Sequence, residues 1–127
     1  MRSYDVAFAS LAIDAPVKWT DNLLSQHQVP DVLARRRGVA RRIPHSALVR
    51  LGIVRELHVS LGIGVREALA MASELLAGEG SAVLQRGHLT VSVDRAALAR
   101  SLDLRLRDAL ESAPTPRRGR PPMRRPE

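Results

Sequence analysis

One phenylalanine, one tyrosine and one tryptophan are the only aromatic side chains in this chain of 127 residues, although apolar residues make up 45% of it. Any core must therefore be packed from Leu, Val, Ile and Ala, which suits packed helices better than a sandwich. The length fits one small globular unit with an appendage. There are no cysteines, which excludes disulfides, zinc knuckles and thiol catalysis. No stretch is long and apolar enough to span a bilayer, and the N-terminal residues lack a signal-peptide pattern. The expected location is the cytoplasm, with no membrane partner.

Hydrophobic periodicity then divides the chain. Residues 1–5 read as a loose lead-in, and the Ala-rich run Val6 to Ile13 as a short buried helix. Asp14 is the expected N-cap of a second helix with Pro16 in its first turn, ending near Gln26. Two short helices so closely joined outline a helix-turn-helix. Val29-Pro30 closes that unit, and residues 31–43 read as a basic hairpin or loop turning at Gly38. Pro44 opens a third helix carrying Leu48, Leu51, Val54, Leu57 and Leu61 at helical spacing, broken by Gly62 and Gly64. A fourth runs from Val65 to Ala77, closed by Gly78-Glu-Gly80. Ala82 to Val93 reads as a small hairpin about Arg86-Gly87. Asp94 can cap a last helix to Ser112, with Leu98, Leu102, Leu106 and Leu110 four residues apart. Pro114 and Pro116 stop it, and the remaining residues are expected to be disordered alone.

Charge is distributed less evenly than hydrophobicity. The chain carries a formal net +7, with a single lysine, Lys18, among twenty basic residues. Arg35, Arg36, Arg37, Arg41 and Arg42 cluster with no acidic neighbour, and Arg117, Arg118, Arg120, Arg124 and Arg125 face only Glu127. Everything else is close to neutral. Two concentrated basic patches on a near-neutral body are an electrostatic footprint for a polyanion, double-stranded DNA above all.

The order helix, turn, helix, basic hairpin, long helix, glycine break, helix resembles the winged-helix DNA-binding domain of the MerR family and its excisionase-like relatives. The resemblance covers residues 6–76. It is carried by Gly38-Val-Ala-Arg-Arg-Ile43, similar to the family's Gly-x-Arg-x-Tyr wing, and by Leu48-x-x-Leu51-x-Ile53-Val54-Arg55-Glu56-Leu57. Leu61-Gly-Ile-Gly-Val-Arg-Glu-Ala68 is similar to its Leu-Gly-hydrophobic-Ser-Leu-Glu-Glu-Ile segment. Where the family's recognition helix usually has Thr-Leu-Arg-Tyr-Tyr, this chain has Val17-Lys-Trp-Thr-Asp-Asn-Leu-Leu24. The long dimerising coiled coil and the effector-binding cysteines or domain are missing, so the resemblance implies a relative without a small-molecule effector. The fold class expected is mainly α with small β: a winged helix-turn-helix over residues 1–78, a β-hairpin plus helix for packing or dimerisation over 79–113, and a basic tail over 114–127.

A recognition helix needs base-edge readers where the major groove is closest. Lys18, Thr20, Asp21 and Asn22 are the polar candidates, while Val17, Leu23 and Leu24 should face the core. Asn22 suits adenine, and Lys18 suits guanine or a phosphate; Asp21 suits cytosine or a cap. Trp19 has two roles open to it, core packing or a contact with the DNA backbone or a thymine methyl. The wing arginines would reach phosphates or the adjacent minor groove, raising affinity and salt sensitivity without reading sequence. In the tail, Arg118-Gly-Arg-Pro121, within Pro116 to Pro122, matches the core of an AT-hook. Gly119 lets the backbone reach the groove floor, and Pro121 keeps the preceding residue extended so that Arg118 and Arg120 diverge along the groove. A narrow A·T-rich minor groove attracts such arginines, and Arg117 adds a further charge. A flexible tether between two DNA-binding elements raises the local concentration of the second.

No catalytic constellation emerges. His27, His45, His58 and His88 are scattered without metal-ligand spacing, and Gly62-Ile-Gly64 fits a turn between helices rather than a phosphate loop. The chain reads as a non-enzyme without a cofactor, a DNA-binding transcriptional regulator of the nucleoid. A homodimer is expected, through the Leu98 to Leu110 stripe or by pairing strand edges, because so small a domain reads few base pairs. The other readings are an architectural DNA-binding protein and an antitoxin or adaptor module.

Overall fold

The computed structural model describes residues 3–32, 41–78 and 82–112, which form a mainly helical protein with two small antiparallel sheets. The residues expected as a lead-in contribute a strand: β1 (Ser3–Tyr4) pairs with β2 (Ile43–Pro44), Ser3 opposite Pro44 and Tyr4 opposite Ile43. Burial decides this, because Ile43 is fully enclosed and Tyr4 packs against the same core. The Gly38 turn lies outside the described residues.

Helix α1 (Val6–Ala12) is capped by Asp5, whose carboxylate accepts from the Phe8 N–H at 2.9 Å. Asp14, expected to cap the next helix, does not. It takes a left-handed φ of 55° in the turn, and Pro16 stands at the N-cap of α2 (Val17–Gln26) without a side-chain bond. Asp14 lies two residues before that cap position, so its carboxylate is not where an N-cap bonds. Leu23 and Leu24 face the core as expected, whereas Val17 is half exposed (50%).

Helix α3 (His45–Leu61) is the central element. Ala47, Leu48, Leu51, Gly52, Ile53, Val54 and Leu57 are all buried, so it is covered on more than one side, by α1, α4 (Val65–Ala77) and α5 (Arg95–Ser112). It ends where Gly62 adopts φ 69°. The Gly62 and Ile63 N–H groups then return to the His58 and Leu57 carbonyls at 3.0 and 3.2 Å, a glycine-terminated cap. Strands β3 (Ala82–Arg86) and β4 (Leu89–Val93) form the expected hairpin, with Gly87 at φ 58° in the first position of a two-residue loop. Asp94 caps α5, accepting from the Ala97 N–H at 2.9 Å.

Of packing and dimerisation, the leucine stripe of α5 is used mostly for packing within its own chain. Leu102 and Leu106 are buried in the chain's own core, Leu98 packs against it, and only Leu110 (62% exposed) faces outward. Leu84, Leu102 and Leu106 share one cluster with Ile43, Leu48 and Val54. Each buried leucine stabilises by roughly 1.5–3 kcal/mol, so residues 82–112 complete the core instead of standing beside it.

Candidate nucleic-acid interface

Helix α2 is amphipathic by position. Thr20, Leu23 and Leu24 are buried, and Lys18, Asn22 and Ser25 are exposed with Asp21 beside them. Spacings of three, four and seven residues put Lys18, Asp21, Asn22 and Ser25 on one helix face. Ser25 and the exposed Gln26 were not among the sequence candidates; extending the helical period through the second turn would have found them.

Thr20 does not belong to that face. Its hydroxyl is buried 2.8 Å from that of Ser10, whose Oγ also donates to the Val6 carbonyl at 2.7 Å. It therefore fastens α2 to α1 and offers nothing to a base. Trp19 is half-buried. The Arg55 guanidinium sits 4.7 Å from its ring centroid, and the His58 ring centroid lies 5.8 Å away. Nδ1 of His58 is 2.9 Å from the Ile63 carbonyl, which can only accept, so that nitrogen carries a proton. Of the two roles open to Trp19, this packing is the one its neighbours define.

Two arginines hold the turn between α1 and α2. Arg55 Nε donates to the Asp14 carbonyl at 3.3 Å, and Arg105 Nη1 to the Ala12 carbonyl at 3.3 Å. Neither stood out in the sequence, because their contacts cross 41 and 93 residues. Among the basic candidates, Arg42 is exposed but anchored: Nη2 donates to the Ser3 carbonyl at 2.8 Å and Nε to the Ser3 hydroxyl at 3.2 Å. It locks β1 against β2. Arg41 is half-buried. Arg35, Arg36, Arg37 and the tail residues Arg117, Arg118, Gly119, Arg120 and Pro121 lie outside the described residues.

Elsewhere, Arg86 bonds Glu74 and reaches Glu67 at 3.6 Å. That contact holds the Glu74 carboxyl below its ordinary range and the Arg86 guanidinium above its own. Among the described residues there is no group of three or more metal-ligating side chains, and no helix is long and apolar enough to cross a membrane.

No protein-family model matches this chain, and neither a curated protein nor a solved structure matches it.

Proposed function

We propose that the protein is a DNA-binding regulator that inserts α2 into the major groove. In this reading α1 and α2 are a helix-turn-helix, the arginines between α2 and β2 are its wing, and the AT-hook-like tail takes a nearby A·T-rich minor groove. The observation that carries it is the polar face of α2: Lys18, Asn22 and Ser25 stand exposed on a helix whose opposite side is fixed to α1 and the core. A reading helix needs this combination, since base-edge donors and acceptors discriminate only when the backbone behind them is held. The basic clusters at residues 35–42 and 117–125 of the sequence would supply phosphate attraction of the kind that dominates affinity.

Selection of bound sequences from a random duplex library, with the full chain and with residues 114–127 removed, tests the proposal. The expected result is one recovered motif for both proteins, with flanking A·T enrichment only for the full chain. A preference over unrelated duplex well above ~10³-fold supports a sequence-reading regulator. Near-equal competition would make it an architectural binder, and no retained DNA would remove the proposal altogether.

A further inference from the structure

Strand β4 leaves one edge without a neighbour among the described residues, because the β3–β4 sheet has two strands only. Strand edges of this kind are normally blunted by lysine, proline or a bulge. Leu89-Thr-Val-Ser-Val93 has none of these, and Leu89, its first residue, is 70% exposed. Beside the strand lies a groove of about 550 Å³ between β4, the C-terminal half of α3 and the N-terminal half of α5. Val91, Val93, Leu98 and the exposed Val59 (60%) and Leu61 (59%) line it.

We propose that this edge and groove are a homodimer interface, in which β4 pairs antiparallel with β4 of a second copy about a two-fold axis at Val91. The hairpin register determines which backbone groups are available. Arg86 and Leu89 flank the two-residue loop, so they exchange both hydrogen bonds, and bonded pairs then alternate along the ladder. The backbones of Leu89, Val91 and Val93 therefore turn toward β3, and those of Thr90 and Ser92 turn outward. An axis at Val91 sets Thr90 opposite the second copy's Ser92, so the outward groups meet as bonded pairs.

The same axis makes the side chains self-complementary. Leu89 faces Val93 of the other copy, Val91 faces its own equivalent, and the two hydroxyl residues face each other. His88, the loop residue just before the strand, and Asp94 of the other copy, just after it, come to the same end of the pair, a ring N–H donor near a carboxylate. Moving the axis by one residue either way leaves His88 opposite Ser92 or Asp94 opposite Thr90, and that donor–carboxylate match is lost. Leu84, the hairpin partner of Val91, is buried, so Leu89, Val91 and Val93 share the inward face of the strand. Leu89 of each copy then covers the end of the other's groove at Val93, which accounts for a leucine left so exposed. The inference is independent of what the protein binds.

Sedimentation equilibrium of the full chain, with variants, tests it. The wild type should be a dimer at micromolar concentration. Leu89→Lys and Ser92→Pro should each raise the dissociation constant by about tenfold or more, since one puts a charge at the groove and the other removes an outward N–H. Both side chains are exposed, Leu89→Lys leaves the backbone bonds to Arg86 in place, and the Ser92 N–H takes no part in the hairpin's own bonds, so circular dichroism and the unfolding midpoint should hardly change. Register has its own readout in a chain without cysteine. Val91→Cys should cross-link to its equivalent on mild oxidation, because unbonded antiparallel pairs bring Cα atoms to about 4.5 Å, and Thr90→Cys should not. A wild-type monomer at ~100 µM overturns the proposal. So does a dimer indifferent to both edge variants, Thr90→Cys cross-linking in place of Val91→Cys, or a monomer that dimerises only once residues 113–127 are removed. The last result would identify the tail as the edge's occupant.

Discussion

The hydroxyls of Ser10 and Thr20 meet at 2.8 Å between α1 and α2, with both side chains buried. The pair fixes the two helices at their point of contact. It also separates α2 residues that hold the helix from those that face solvent.

Thr20→Val keeps the side chain's shape and deletes its part in that bond. Net loss of such a bond costs about 1 kcal/mol, and Ser10 still has the Val6 carbonyl. The double variant Ser10→Ala/Thr20→Val removes both buried hydroxyls and should recover much of the loss. Urea unfolding of the three proteins checks the order. Affinity for any selected DNA should be the same for Thr20→Val as for the wild type, while Lys18→Ala and Asn22→Ala should each reduce it.

Gly52 sits in the middle of α3, where glycine is a poor helix former. A Cβ there would lie 3.5 Å from the Leu98 and Leu102 methyls, an ordinary van der Waals distance. Gly52→Ala should therefore stabilise by roughly 0.5–1 kcal/mol, raising the midpoint of thermal unfolding by a few degrees. A lowered midpoint would mean that α5 cannot accept the methyl.

Leu102 joins α5 to the core beneath α1 and α3, with no exposure. Leu102→Ala should cost roughly 2–5 kcal/mol and leave a single cooperative transition. A chain ending at residue 78 loses this cover and should not unfold cooperatively by calorimetry. Two separate transitions in the full chain would contradict a shared core.

Glu74 titrates below its ordinary value of 4.5 chiefly because Arg86 bonds its carboxylate. A lowered folded-state value means that the contribution is complete above pH 4.5 and is lost as pH falls through the lower value. Both partners are exposed, so the effect is small and screened by salt. Glu74→Gln should thus lower the midpoint slightly at neutral pH, and the difference from wild type should vanish in acid or at high salt.

Wing contacts have a salt signature. Arg36→Ala/Arg41→Ala should weaken DNA binding across all sequences and make log K against log salt shallower, because phosphate contacts release counterions. Unchanged binding through a salt titration would remove the wing from the interface.

Much of the secondary structure was legible before folding was considered. The α4 boundaries, the hairpin with its glycine turn, the Asp94 cap and the glycine stop after α3 each rest on a local rule, in which a residue's own backbone preference or a bond to a near neighbour decides. Asp14 marks where local rules fail, since Pro16 takes the cap position and the turn is held by Arg55 from another helix.

The candidate site divides along the same line. Periodicity alone put Lys18 and Asn22 on an open face of α2, because 3.6 residues per turn is a property of the helix. It could not tell that Thr20 is buried against Ser10 or that Trp19 lies against Arg55. It also did not reveal that Arg42 is tied to Ser3, or that Leu102 and Leu106 pack within their own chain. Those outcomes depend on partners 10 to 39 residues away or on other elements of the core. By itself, then, the sequence determined which segments are helical, where they stop and where positive charge concentrates. Only the tertiary structure decided which polar and apolar side chains remain available to a partner, because burial is a property of what packs on top of a residue.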